Sequence, residues 1–390
     1  MKKKVVILGS TGSIGCNALQ VIDALSSEYE VIALSAHRNL DLLAEQVKKF
    51  SPRYAAVTDE QSAAVSSKQF SGFSGTLLTG PESLVELASL DEADIIVCAV
   101  VGAAGLPAAL AAAQAGKIVA IANKEPLVIA GELLTAAARE NGATLLPIDS
   151  EHSAVFQAMQ AGDPKEVRKV ILTASGGPFR NATLEEMSSA TIEQALNHPT
   201  WDMGPKITID SATMMNKSRE VIEAVWLFDL GGDKIDVLIH PESVVHSMVE
   251  FIDGSVIAQL GTPDMKVPIQ YALTYPERRE GLSEGLRLDK LAQLNFYPPD
   301  LTHFRALALG FEVAATLGSA PVVFNAANEA AVAAFLEGQI QFGQIVELID
   351  RCLQTHSIQE HLTLDELLEI DAWARREVSE TLGRNKTIVN

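Results

Sequence analysis

A chain of 390 residues is longer than one hydrophobic core usually organises, so two or three domains are expected. Hydrophobic residues make up 47%, and no apolar run approaches the length of a membrane span, which excludes both a disordered and a membrane-spanning class. A formal charge of −20 disfavours nucleic acid and anionic membranes as partners, so any phosphate site must be built locally.

Met1 to Lys4 followed by VVIL imitates a signal peptide, but the apolar run is short and ends in a glycine-rich turn. It is read as a first strand, Lys4 to Leu8. Gly9-Ser10-Thr11-Gly12-Ser13-Ile14-Gly15 follows, and then Ala18, Leu19, Val21, Ile22 and Leu25 recur at helical spacing. Strand, glycine turn and helix together predict a dinucleotide site, because glycines let the backbone approach a pyrophosphate that the helix N-terminal amides stabilise. The second strand, Glu30 to Ser35, leads into His37-Arg38-Asn39, where an NAD enzyme would carry an acid for the ribose. Arg38 suits a 2′-phosphate instead, so NADP is expected, although a solvated arginine fits the same pattern.

Further strands are expected at Ala55 to Val57, Ile95 to Val101, Ile118 to Ala122 and Thr144 to Ile148, alternating with helices as a doubly wound sheet requires. Asn123-Lys124-Glu125-Pro126 follows one of these strand ends, which puts Lys124 either at the ligand edge or in solvent. Asp149, Ser150 and Glu151 follow another. Two carboxylates beside a hydroxyl would suit Mg²⁺ or Mn²⁺, and the same residues would also cap a helix beginning near His152.

Ser175-Gly176-Gly177-Pro178 reads as a polar turn after a strand, and Arg180 to Pro205 as a long polar segment. Trp201 and Met203 within it favour a lid over a disordered loop. One helix is expected from Ser211 to Trp226. Its apolar stripe is Met214, Ser218, Val221, Ile222 and Val225, and its opposite face carries Asn216, Lys217 and Glu220, as a solvated face or as part of a site. Val237 to Leu260 alternates around Asp253-Gly254 as a hairpin and offers a dimer surface, with His246 read as structural or interfacial. Only helical patterns follow the Pro-bearing connection that ends at Thr302. Cys16, Cys98 and Cys352 are scattered and odd in number, which suggests reduced thiols in a cytoplasmic protein and argues against zinc.

GSTGSIG, ANKE, LLPIDSEHSAVFQ, TASGGPF, HPTWDMG, DSATMMNKSREVIEA and AQLGTPDMKVPIQYAL, in this order, resemble the 1-deoxy-D-xylulose 5-phosphate reductoisomerase family over nearly the whole chain. The resemblance implies NADPH-dependent conversion of that sugar phosphate to 2-C-methyl-D-erythritol 4-phosphate for isoprenoids, by a cytoplasmic homodimer. It implies a metal, Mg²⁺ or Mn²⁺, on Asp149, Glu151 and Glu220. Substrate phosphate would fall to Ser175, Ser211, Asn216 and Lys217 with His198 beside it, and the substrate backbone to Ser150 and Lys124. Trp201 and Met203 would close as a lid. Thr11, Gly12, Ser13, Ile14, His37, Arg38, Asn39, Asn123, Glu125 and Gly204 would line the NADPH site. Two residues depart from the usual pattern: His37, where many members carry glycine, and Pro126, where a small residue is commoner.

The implied fold is α/β. A Rossmann-like NADPH-binding domain spans 1–149, and a catalytic and dimerisation α/β domain spans 150–274 with its lid at 180–205. A connection over 275–302 leads to a C-terminal helical bundle over 303–390. The competing readings are a semialdehyde or homoserine-type NADP dehydrogenase, which gives the carboxylates no metal role, and a non-catalytic NADP-sensing protein, which needs no Lys217 or Glu220 facing a site.

Overall fold

The computed structural model describes residues 1–200 and 204–388. Its contacts divide the chain into two compact units. The first comprises Met1–Pro126, Glu132–Ser153 and Asp264–Gly285. It holds a parallel sheet of seven strands: Lys3–Leu8 (β1), Tyr29–Ala36 (β2), Tyr54–Val57 (β3), Thr76–Thr79 (β4), Ile95–Cys98 (β5), Ile118–Ile121 (β6) and Thr144–Pro147 (β7). The central strands are continuous apolar runs buried on both faces, as a helix-covered parallel sheet demands. Their order is β4-β3-β2-β1-β5-β6-β7, so the winding reverses beside β1, and every strand delivers its C-terminal end to one edge. That edge, at the reversal, is where open α/β sheets bind ligands.

The second unit comprises Leu127–Gly131, Ala154–Pro263 and Leu286–Asn390. Its sheet has the order β11-β10-β8-β9, built from Val167–Ala174 (β8), Ile235–Ile239 (β9), Val245–Phe251 (β10) and Val256–Leu260 (β11). The expected hairpin joins β10 to β11, with Gly254 at φ +86 in its turn. Helices Arg305–Thr316, Ala320–Leu336, Phe342–Thr355 and Leu364–Ile388 complete the unit, and Ala320–Leu336 is buried on nearly every side because its sequence is mostly Ala, Val and Phe.

Several expectations are corrected. Strand β4, four residues with two threonines, carries too little pattern to be anticipated. The segment 180–205 is less irregular than expected, since Thr183 and Thr191 open capping boxes on short helices Leu184–Ser188 and Ile192–Leu196. The single helix expected from Ser211 is two, Pro205–Ala212 and Met215–Phe228, broken where Met214 takes the left-handed conformation at φ +62. The contact division keeps Glu132–Ser153 and Asp264–Gly285 with the first unit. Helix Lys266–Thr274 packs on helix Ser13–Ala24, and the Tyr29 hydroxyl donates to the Leu273 carbonyl at 2.9 Å.

Candidate functional site

In the first unit, the turn after β1 is held in place before any ligand arrives. Gly9, at φ +84, leaves no room for a Cβ, which would lie 2.4 Å from the Ala99 carbonyl oxygen; a Cβ on Gly15 would meet the Gly9 oxygen equally closely. The Gly9 N–H donates to Ser35 Oγ at 2.9 Å, and Gln46 Nε2 donates to the Ser10 carbonyl at 2.9 Å. Neither Ser35 nor Gln46 was singled out in the sequence. The available signal was a glutamine three residues after Leu43, on the buried face of helix Leu40–Phe50. Gly12 caps helix Ser13–Ala24 without a side-chain hydrogen bond, so Thr11, Gly12, Ser13 and Ile14 present backbone at a helix N-terminus, which fits a pyrophosphate.

His37, Arg38 and Asn39 sit at the end of β2. Arg38 Nε donates to Asp59 Oδ1 at 3.1 Å, His37 Nδ1 lies 3.0 Å from Thr58 Oγ1, and Asn39 caps the following helix by accepting from Leu42 N–H at 3.2 Å. Asp59 lies past the end of β3, away from the second-strand position at which the pattern places an acid for the ribose. Hydrogen bonds from the Ser62 backbone and hydroxyl, then Arg38, lower its carboxyl to about 2, so it is an anion at every physiological pH.

Strands β6 and β7 are paired neighbours, so Asn123-Lys124-Glu125 and Asp149-Ser150-Glu151 leave the same sheet edge side by side. Lys124 Nζ lies 2.7 Å from Asp149 Oδ2, and both groups are buried, which excludes the solvated lysine. Burial pushes the Asp149 carboxyl up, but the Lys124 ammonium and His152, whose Nδ1 is 3.8 Å away, hold it well below the usual carboxylate range. Ser150 donates to Glu151 Oε2 at 2.6 Å. Asp149 and Glu151 are hard oxygen donors with no thiol beside them in the sequence, which fits Mg²⁺ or Mn²⁺.

In the second unit, Ser175 follows the end of β8 and precedes Gly176 (φ +82) and Gly177 (φ +64). A Cβ on Gly177 would stand 2.6 Å from the Ser211 carbonyl oxygen, so only glycine lets this turn close on the helix Pro205–Ala212. The closure brings His198 Nε2 within 3.2 Å of Ser175 Oγ and 3.0 Å of Ser211 Oγ. His198 Nδ1 accepts from Thr200 N–H at 3.1 Å, which leaves Nε2 as the protonated nitrogen of the neutral ring. Burial, with Arg180 nearby, lowers the His198 pKa, so the ring is a neutral donor at pH 7 rather than a cation.

On helix Met215–Phe228, Lys217 and Glu220 are hydrogen-bonded to each other, and Asn216 also donates to Glu220. Lys217 and Glu220 are buried and Asn216 half-buried, so the solvated-face reading is wrong. Ser218, on the expected apolar stripe, spends its hydroxyl on the Met214 and Ala306 carbonyls. His246 is buried near the Gly261 and Thr262 backbone, and burial lowers its pKa, as a structural histidine requires. Gly204 caps helix Pro205–Ala212. Trp201 and Met203, expected to form the lid, lie outside the described residues.

Three comparisons bear on these residues. Family models match consecutive parts of the chain: 1-deoxy-D-xylulose 5-phosphate reductoisomerase over residues 5–131, and two models of the C-terminal domain of that enzyme over 145–228 and 260–377. The 1-deoxy-D-xylulose 5-phosphate reductoisomerase of Geotalea uraniireducens is 50% identical over 386 residues, covering 98% of this chain and 100% of that one. Its counterpart from Halothermothrix orenii is 47% identical, with the same coverages. Among solved structures, the enzyme from Zymomonas mobilis in complex with NADPH superposes with a TM-score of 0.93 at 44% identity, over 98% of this chain and 99% of that one. A reductoisomerase in complex with NADPH, fosmidomycin and magnesium also superposes at 0.93, with 42% identity and the same coverages.

Proposed function

Because the chain belongs to the 1-deoxy-D-xylulose 5-phosphate reductoisomerase family, we infer that it rearranges and reduces 1-deoxy-D-xylulose 5-phosphate to 2-C-methyl-D-erythritol 4-phosphate, using NADPH and a divalent metal, in isoprenoid precursor biosynthesis. The observation that carries this is identity of about half over essentially the full length of both chains. A semialdehyde or homoserine-type dehydrogenase accounts for the dinucleotide fold alone, whereas the family models extend through the C-terminal half.

In this reading Asp149, Glu151 and Glu220 hold the metal. When bound, the metal supplies Lewis acidity to the ketone and hydroxyl oxygens of the substrate, and NADPH supplies the hydride. The chain's own residues bind and orient. Lys124 and Ser150 hold the substrate backbone, with Lys124 also keeping Asp149 ionised. Ser175, Ser211, Asn216 and Lys217 hold the phosphate, and His198 donates Nε2–H beside it; hydroxyls and a neutral imidazole supply directed donors, while Lys217 supplies the charge. Asn123, Glu125 and Gly204 complete the cofactor surface begun at Thr11–Ile14 and His37–Asn39.

The test is NADPH oxidation on adding 1-deoxy-D-xylulose 5-phosphate, abolished by a chelator and restored by Mg²⁺ or Mn²⁺; oxidation that ignores the chelator would refute the reading. Arg38→Ala should raise KM for NADPH by about tenfold or more, as loss of a charge-assisted phosphate contact implies, while KM for NADH changes little. Equal use of both cofactors by the unmodified enzyme would contradict the 2′-phosphate role.

We also propose that the enzyme is a homodimer through β11. This strand is the edge of its sheet, and Val256 is 49%, Ile257 38% and Leu260 36% exposed. Val256 and Ile257 face opposite sides, so a second copy of the strand region would cover both. Ile257→Asp should convert the species seen by light scattering from two chains to one; a single-chain wild type, or a dimer untouched by the substitution, would refute it. None of the described helices is long and apolar enough to cross a membrane. We propose a cytoplasmic location because three free thiols suit a reducing compartment.

A further inference from the structure

We infer that Asp210 and Arg219 are positioning residues for the substrate-phosphate subsite, tying together the two helices that carry it across the break at Met214. The inference rests on the phosphate reading above.

Asp210 and Arg219 are the immediate chain neighbours of Ser211 and Glu220, and both are buried. Ser211 lies on helix Pro205–Ala212 and Lys217 on helix Met215–Phe228, and the left-handed Met214 between them interrupts the hydrogen-bond ladder that would otherwise fix their separation. Two short helices joined this way can change their mutual angle at one residue. The Arg219 guanidinium spans the break and donates to Asp210 Oδ2. The same oxygen receives Lys206 Nζ at 2.6 Å, and Oδ1 accepts from Asn328 Nδ2 at 2.8 Å. Arg219 also donates to Asn325 Oδ1 at 3.3 Å, and Asn325 Nδ2 donates in turn to Glu329 Oε1 at 3.1 Å. Arg375 reaches Glu329 at 2.6 Å. The tie is thus anchored on helix Ala320–Leu336, and behind that on Leu364–Ile388.

A buried ion pair gains little net stability over apolar residues of the same size, because desolvation offsets attraction. What it does provide is one geometry. Here that geometry is the spacing between the Ser211 hydroxyl and the Lys217 ammonium, which a sugar phosphate must bridge.

Arg219→Met, Arg219→Lys and Ser211→Ala should be compared for folding by circular dichroism and melting, KM for the sugar phosphate, Ki for inorganic phosphate, and KM for NADPH. In folded Arg219→Met, KM and Ki should rise about tenfold or more and kcat should fall, with KM for NADPH within about twofold. Arg219→Lys keeps the charge with a shorter reach and should fall between the two; if the Met variant does not fold, the Lys variant decides by the same sign. Lowered melting with unchanged KM, Ki and kcat would mean a merely structural pair and overturn the inference. Ser211→Ala separates the premises. If it leaves the phosphate Ki unchanged, the phosphate reading fails; if it raises Ki while folded Arg219 variants do not, only the present inference fails.

Discussion

Glu220→Gln should lower turnover by about 1000-fold, the rate equivalent of roughly 4 kcal/mol, while NADPH binding followed by fluorescence stays within a few-fold. The substitution keeps the size of the side chain and its place on helix Met215–Phe228, where Asn216 and Lys217 contact it. It removes a negative charge from a site proposed to have only three carboxylates. The cofactor turn after β1 is built from Gly9, Ser35 and Gln46 and depends on none of these residues. Raising the metal concentration should recover part of the lost rate, because the defect lies in affinity as well as in charge. Near-normal turnover at low metal would remove Glu220 from the metal site.

Lys124→Met should be nearly as damaging, with a pH signature of its own. Lys124 is the largest single influence holding the buried Asp149 carboxyl down; without it burial acts against only the His152 and Glu151 interactions, and the carboxyl rises. Protons then compete with the metal for Asp149, so as pH falls metal affinity in the variant should begin to weaken at a higher pH than in the unmodified enzyme. The stability consequence has a definite sign. In the unmodified enzyme the Asp149 pKa is depressed, so the stability this group contributes is present above the unfolded carboxylate value of about 4 and is lost as pH falls through the lower folded value. Removing one partner of a buried pair costs about 3–5 kcal/mol, so the variant should also melt earlier without metal. Turnover should drop by about 100-fold, since the proposed substrate contact is lost as well. A variant with wild-type pH dependence of metal binding would show that Lys124 does not govern Asp149.

The first unit was legible because its signals are local. A continuous apolar strand, a glycine turn and an amphipathic helix fall within a few tens of residues, and the placement of Lys124 beside Asp149 follows once β6 and β7 are neighbours. What the sequence hid is non-local or locally anomalous. Nothing in Ala212-Thr213-Met214-Met215 announces a helix break, since methionine is an ordinary helix former, yet Met214 takes a left-handed backbone. Arg219 reads as a surface residue, because an arginine is buried only when partners from elsewhere receive it, here Asp210 and Asn325. The spacing alone left Lys217 and Glu220 open between a solvated face and a site for the same reason: a lysine and a glutamate three residues apart look solvated until their mutual contact is seen. Asp59 was passed over because it reaches Arg38 from the neighbouring strand.

Asp149 and Glu151, two residues apart, and Glu220, far along the chain from them, are proposed to hold one divalent ion. Mn²⁺ binding followed by electron paramagnetic resonance tests it without any turnover. Unmodified protein should bind one ion per chain, and Asp149→Asn, Glu151→Gln and Glu220→Gln should each weaken that same site by about tenfold or more, while combining two of them should remove it. One ion per chain bound with unchanged affinity in Glu220→Gln, alongside loss of binding in Asp149→Asn, would contradict the claim by placing the metal on the first unit's carboxylates alone.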